Sequence, residues 1–150
     1  MANVIPNSFR GSLFSAHHDF ASGGNTFKLA LYTAGSGAPY STGSTVYTSG
    51  TANQVGTSGT GYSTGGNTLT SQAVASSTAV ASVDFADTEW TSATFTAAYG
   101  VIYNSTTVDS TADRLVVVLD FGGNKTCTNG TFKITFPNPS TPGDAILSMA

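Results

Sequence analysis

The stretch Thr26-Phe27-Lys28-Leu29-Ala30-Leu31-Tyr32 decides the fold class. Phe27, Leu29 and Leu31 alternate with Lys28, Ala30 and Tyr32, a period of two that predicts a strand with one buried face. Just upstream the period is different. Phe9, Leu13, His17 and Phe20 recur at four, four and three residues, with Phe14 beside them, which predicts a short amphipathic helix within 8–20. Asn7 or Ser8 offers a cap and Gly23-Gly24 a stop, while Gly11 costs such a helix about 1 kcal/mol. The change of period divides the chain into an N-terminal arm with a short helix, 1–25, and a β domain, 26–150.

Residues 33–67 are almost wholly Gly, Ser, Thr, Asn and Tyr, with Pro39 among them. So long a structureless stretch is uncommon inside a domain. Short strands are therefore expected around Val46-Tyr47 and near Tyr62, or else an arm that orders against a neighbouring chain. The Gly/Ser/Thr-rich loop itself is placed at about 33–60. Beyond it, strands are expected at 68–75, 79–85, 94–103, 114–121 and 131–136, with a short one at 145–149. Turn-formers separate them: Ser76-Ser77, Asp87-Thr88, the run 104–109, Gly122-Gly123-Asn124 and Asn129-Gly130. Asn129-Gly130 is the strongest hairpin or tight-turn signal. Pro137, Pro139 and Pro142 stop the last long strand, because none can donate to a ladder. No fixed-period repeat is present. The expected fold is all-β: a single-domain antiparallel β-sandwich, jelly-roll or immunoglobulin-like, with a short N-terminal helix.

The 150 residues include 24 Thr, 19 Ser and 17 Gly, two residues in every five. A chain this long can build a core without metal or disulfides. Charged side chains make up only 9%, against about 25% in an average soluble domain, which argues against a charged, helix-rich enzyme. A net charge of −3 and five Lys and Arg leave no basic footprint for nucleic acid or anionic membrane. The one cysteine excludes a disulfide within the chain. The opening Met1-Ala2-Asn3-Val4-Ile5-Pro6 lacks a basic start followed by an apolar run. The longest aliphatic run, Leu115-Val116-Val117-Val118-Leu119, is far short of the ~18 residues of a membrane helix. Synthesis in the cytoplasm is the expectation. The triplets beginning at Asn104, Asn124 and Asn129 then carry no weight as glycosylation sites.

Residues able to carry chemistry are few. The adjacent His17-His18 diverge on a helix or a strand, and a structural zinc site wants four ligands, with Cys127 the only thiol. One half-buried and one exposed histidine are expected. Asp84, Asp87 and Glu89 sit close together in Val83-Asp84-Phe85-Ala86-Asp87-Thr88-Glu89-Trp90. Close carboxylates suit calcium or acid–base work, and a hydrolase would rest on these three alone. Their spacing fits no calcium loop, and a turn at Asp87 with the others on a solvated strand face accounts for them. Neither a Gly-x-Ser-x-Gly elbow nor a phosphate loop occurs; Gly56-Thr57-Ser58-Gly59-Thr60-Gly61 lacks the lysine and a following helix. Cys127, between Thr126 and Thr128, has no histidine in sequence reach and reads as a small strand or turn residue. The sequence thus assigns no catalytic residue, no cofactor and no metal.

A chain with thirteen charged side chains has little with which to discourage edge-to-edge association. Such a skin suits a protein covered by partner chains in an assembly; a hydroxyl-rich surface that stays wet is the rival explanation. Fragments along the chain bear on the choice. They are His18-Asp19-Phe20, Thr26-Phe27-Lys28-Leu29-Ala30-Leu31-Tyr32-Thr33, and Gly59-Thr60-Gly61-Tyr62 with Gly65-Gly66 and Leu69. Val83-Asp84-Phe85-Ala86-Asp87, Trp90-Thr91, Ile102-Tyr103-Asn104 and Val118-Leu119-Asp120-Phe121-Gly122 follow. Gly130-Thr131-Phe132, Ile134 and Phe136-Pro137 complete the series.

In their shared order, from about residue 9 to the end, these fragments resemble a family of small virion proteins encoded by tailed bacteriophages. The resemblance implies a structural part of the virion, made in the host cytoplasm, with no enzymatic role. Within that class it favours a capsid decoration or cement protein that binds and stabilises the assembled head. The implied partners are the major capsid protein and further copies of this chain as a homo-oligomer, with neither nucleic acid nor membrane involved. A neck, tail or fibre-associated role, with tail or neck proteins as partners, is the alternative. Segment 35–55 is longer and richer in Ser and Gly than the family pattern, and no site residues carry over. The arm 2–9 and the loop 33–60 are expected to make the contacts, because neither has a secure place in a single core. A carbohydrate-binding adhesive module is a further alternative, with Tyr40, Tyr47, Tyr62 and Trp90 stacking on sugar faces.

Overall fold

The alternating stretch does form a strand, and it lies inside a sheet. The computed structural model describes residues 3–35, 37–76, 79–137 and 145–149. Its elements are α1 (Asn7–Phe14), β1 (Phe27–Tyr32), β2 (Asn67–Thr68), β3 (Ala73–Ser76), β4 (Ala81–Asp84), β5 (Thr88–Asn104), β6 (Arg114–Ile134) and β7 (Leu147–Met149). Two antiparallel sheets result, one of four strands ordered β2-β1-β5-β6 and one of three ordered β3-β4-β7. The protein is an all-β, single-domain, sandwich-like fold with one short helix. Four strands plus three is the count of a constant-type immunoglobulin sandwich, though not its strand order. Among the described residues, no helix is long and apolar enough to cross a membrane.

The helix is shorter than its periodicity predicts. Ala16 adopts φ 55°, its N–H bonds the Leu13 carbonyl at 3.1 Å, and the His17 N–H bonds the Ser12 carbonyl at 2.9 Å. This pair of bonds is a Schellman closure, and it ends the helix before the glycines at 23 and 24 are reached. Phe9 is therefore buried on α1, Phe14 faces solvent, and Phe20 enters the core from the segment beyond the helix. The start differs as well: Pro6 holds the N-cap position, and the Ser8 hydroxyl donates to the Ser44 carbonyl at 2.8 Å.

The second half has fewer and longer strands than expected. The segment 94–103 belongs to the 17-residue β5, while 114–121 and most of 131–136 belong to the single 21-residue β6. Gly122-Gly123 and Asn129-Gly130 are bulges, not turns. Asp120 pairs with Tyr99 and Lys125 with Ala97, so residues 121–124 stand opposite Ala98 alone. Gly122 and Gly123 take φ 72° and 128°, where a side chain is strained. At Asn129, φ 49°, the Thr94 hydroxyl across the ladder fills the gap. It donates to Asn129 Oδ1 at 3.2 Å and accepts from the Asn129 N–H at 3.0 Å. A bulge and a hairpin turn call for the same left-handed residues, so the local signal does not distinguish them; the ladder to β5 does.

The expected strand 68–75 splits into β2 and β3, 79–85 shortens to β4, and 145–149 contains β7. Val46 makes one bridge, to Arg114, and Tyr62 is buried without a strand around it. Ser77, Pro139, Pro142 and the first two residues of the chain lie outside the described residues.

Burial on β1 departs most from the alternating pattern. Phe27, Leu29 and Leu31 are buried as expected, yet Ala30 and Tyr32 are also 0% exposed. The Gly/Ser/Thr-rich loop folds back over the second face of the sheet, so both faces are covered. It is stitched to the edge of β6 by Tyr47 N–H to the Asp113 carbonyl (2.7 Å) and Leu115 N–H to Thr45 (3.0 Å), and to the edge of β1 by Val55 N–H to Leu31 (3.0 Å), beyond which Val55 and Tyr62 join the core of the first face. The N-terminal arm pairs Val4 with Val118 through two bonds of 2.9 and 2.8 Å, covering the outer edge of β6. The arm and the loop, expected as outward contact elements, are thus parts of the domain's own core. Open backbone edges and apolar faces draw them in.

Candidate interaction groove

The four-stranded sheet carries a different cover on each face. On the loop side, the Tyr47 ring stacks on Tyr103 at 4.1 Å with planes 8° apart. Gln54 Nε2 donates to the hydroxyl of Tyr47 (2.9 Å) and, across the edge of β1, to that of Tyr62 (3.0 Å), whose ring packs with Trp90 and Phe95 in the cluster of the opposite face and whose oxygen also accepts from the Leu31 N–H at 3.1 Å. The Tyr103 hydroxyl donates to the Gly65 carbonyl at 2.8 Å, and that of Tyr32 meets Thr51 Oγ1 at 3.1 Å. The next residue, Gly66, takes φ 74°, and a Cβ there would collide with the Leu29 carbonyl. Burial pushes the hydroxyls of Tyr32 and Tyr103 well above the usual phenol range. Among the described residues, no large hydrophobic residue is left exposed on this face.

On the opposite face, α1 and the β3-β4-β7 sheet lie side by side without closing. Between them runs a groove of about 850 Å3. Phe9 and Phe20 line its depth, Leu13 and Phe14 come from the helix, and Val83 and Met149 from the sheet. Phe14 is 94% exposed, Met149 64% and Val74, which also lines the groove, 58%. These are the exposed large hydrophobic residues among the described residues, and all three border one hollow. Clustering of this kind, unlike single exposed apolar residues, makes the groove the candidate site. The groove carries one cation, Arg10, and one anion, Asp19, and neither forms an ion pair among the described residues.

His18 anchors the groove from beneath. It is 9% exposed and packs on Phe9 at 4.9 Å, with Phe20 and Phe27 stacked beyond at 6.0 and 6.4 Å. Its Nδ1 faces the Asn104 amide nitrogen at 3.3 Å and therefore accepts, which leaves Nε2 to donate to Ser12 Oγ at 3.2 Å. Both contacts suit a neutral ring. Burial, with Arg114 and His17 adding repulsion, lowers its pKa to about 4. His17 instead meets Asp109 at 2.7 Å. The two histidines therefore serve different purposes, and neither is exposed as one was expected to be: His17 is half-buried and His18 buried, both beyond the end of the helix.

The three carboxylates do not form a site. Asp87 pairs with Lys133 at 2.9 Å and accepts from the Phe136 N–H at 3.0 Å, so its carboxyl titrates below the usual range. Glu89 is exposed opposite Lys133 on the ladder. Asp84 is buried on β4 opposite Ala73, not on a solvated strand face as expected, and that burial raises its pKa. Among the described residues, no three His, Cys, Asp or Glu converge as metal ligands would. Cys127 pairs with Phe95 in the ladder, and Gly56–Gly61 is loop. Of the rings assigned to sugar stacking, Tyr47, Tyr62 and Trp90 are 5%, 3% and 4% exposed, which leaves no face for a sugar. Sequence reasoning missed the groove, although one signal was present: Phe14 stands off the Phe9–Leu13 stripe. Compared with known proteins, the chain matches no family model, no curated protein and no solved structure.

Proposed function

We propose that this protein is a structural component of a tailed-bacteriophage particle, acting without catalysis as a decoration or cement protein on the outside of the assembled head. The observation that carries this reading is the exposed apolar trio Phe14, Val74 and Met149 around one groove, on a chain with only thirteen charged side chains. That combination favours adhesion to protein over binding of charged small molecules. Many copies bound to a lattice would add their stabilisation by mass action on the assembled state. The fragments behind the resemblance also fit a framework role. His18 contacts Asn104, and Leu29 pairs with Ile102, joining fragments far apart in the chain. The proposed partner is the major capsid protein.

Co-sedimentation with assembled heads that lack this protein tests the reading. Binding to heads, together with raised resistance of the loaded heads to heat, is expected. Binding to purified tails but not heads would move the assignment to the neck, tail or fibre. A protein that sediments with neither would sink the virion reading.

A further inference from the structure

We infer that the groove between α1 and the β3-β4-β7 sheet is a self-association site, occupied by the Phe14 side chain of a second copy related by a two-fold axis. This deepens the adhesive reading above by naming an occupant, and it holds whether or not a virion is the final destination. Three observations point to a second copy.

The first is shape. Phe14 is a knob, 94% exposed at the last turn of α1, and the hollow beside it is lined by apolar groups on both walls. Knob and hole on the same face are what an isologous contact requires, since each copy must present both. The second is charge. Arg10 and Asp19 line the same groove, of opposite sign and without an ion pair among the described residues. A face that carries one unpaired charge of each sign can be electrostatically complementary to a second copy of itself, Arg10 of one copy answering Asp19 of the other. A partner bearing one sign of charge would satisfy only half of it. The third is the low repulsion between copies, because the whole chain carries a net charge of −3.

Sedimentation equilibrium of the purified chain, over loading concentrations of about 1–200 μM, tests the inference. A monomer–dimer equilibrium is expected. Phe14→Glu should weaken it by more than about 100-fold, because the two-fold contact loses a buried phenylalanine from each copy. Far-UV circular dichroism should be unchanged, because the ring touches little in the monomer. Met149→Lys, on the opposite wall, should weaken the dimer without touching the helix, and it serves as the test if Phe14→Glu does not fold. Asp19→Asn retains the acceptor for the Ala21 N–H (2.9 Å) and removes only the charge. Combined with Arg10→Gln, it should cost less than the two single changes added together. A monomer at every concentration, or a dimer indifferent to both groove variants, would overturn the self-association site. Neither result bears on head binding, which is measured separately.

Discussion

The two covers of the central sheet are made of opposite materials. The loop cover is drawn from a segment of Gly, Ser, Thr and Tyr, and among the described residues it leaves no large hydrophobic residue of its face exposed, because buried tyrosines bring both ring area and a hydroxyl that finds a partner. The helix cover is drawn from conventional apolar residues, Phe9, Leu13, Phe20 and Val83, and it leaves a groove. Hydrophobicity by itself therefore does not decide which side is closed. A loop can follow the relief of a sheet residue by residue. A helix and a second sheet are stiff bodies that meet only where their ridges allow, and a gap remains between them.

The sharpest way to break this contrast is to delete one aromatic ring from each side. Tyr47→Ala removes the stack on Tyr103 and one partner of Gln54, and should cost about 3–5 kcal/mol in chemical denaturation. Phe14→Ala deletes a ring of nearly equal size and should stay within about 0.5 kcal/mol for the monomer. Equal losses would mean that the two covers are not different in kind.

Titration should separate the covers next. His18 titrates at about 4 in the folded protein and at 6.5 when unfolded, so its contribution is whole above pH 6.5 and declines as the pH falls toward 4. The loss is about 3 kcal/mol, and His18→Phe should flatten that window in a series of denaturation midpoints. On the loop side the sign is reversed. Burial raises Tyr32 and Tyr103 above the ordinary value of 10.0, so stability is whole below pH 10 and falls as phenolates are forced to form above it. Phenolate absorbance should rise together with unfolding, not before it.

Smaller changes sharpen the picture. Gln54→Leu leaves the Tyr47 hydroxyl without its amide partner and should cost about 1–3 kcal/mol, with the β5–β6 hairpin intact by circular dichroism. Ala16→Gly relieves the left-handed residue of the Schellman closure and should stabilise the protein by about 0.5–1 kcal/mol in thermal melts. A loss there would mean that the closure is not strained.

Sequence determined the all-β class, the strand at 27–32, the single short helix ahead of it and the residues with left-handed potential, because these depend on periodicity and on local backbone preference. Tertiary structure alone decided three things. It made bulges of Gly122-Gly123 and Asn129-Gly130, since only the ladder to β5 tells a kinked strand from a reversal. It turned the polar loop inward, since hydrogen bonds between Gln54 and two tyrosines far from β1 in sequence make its burial tolerable. It left Phe14 outside, because the helix closed at Ala16 and the space beside it depends on where a distant sheet comes to rest.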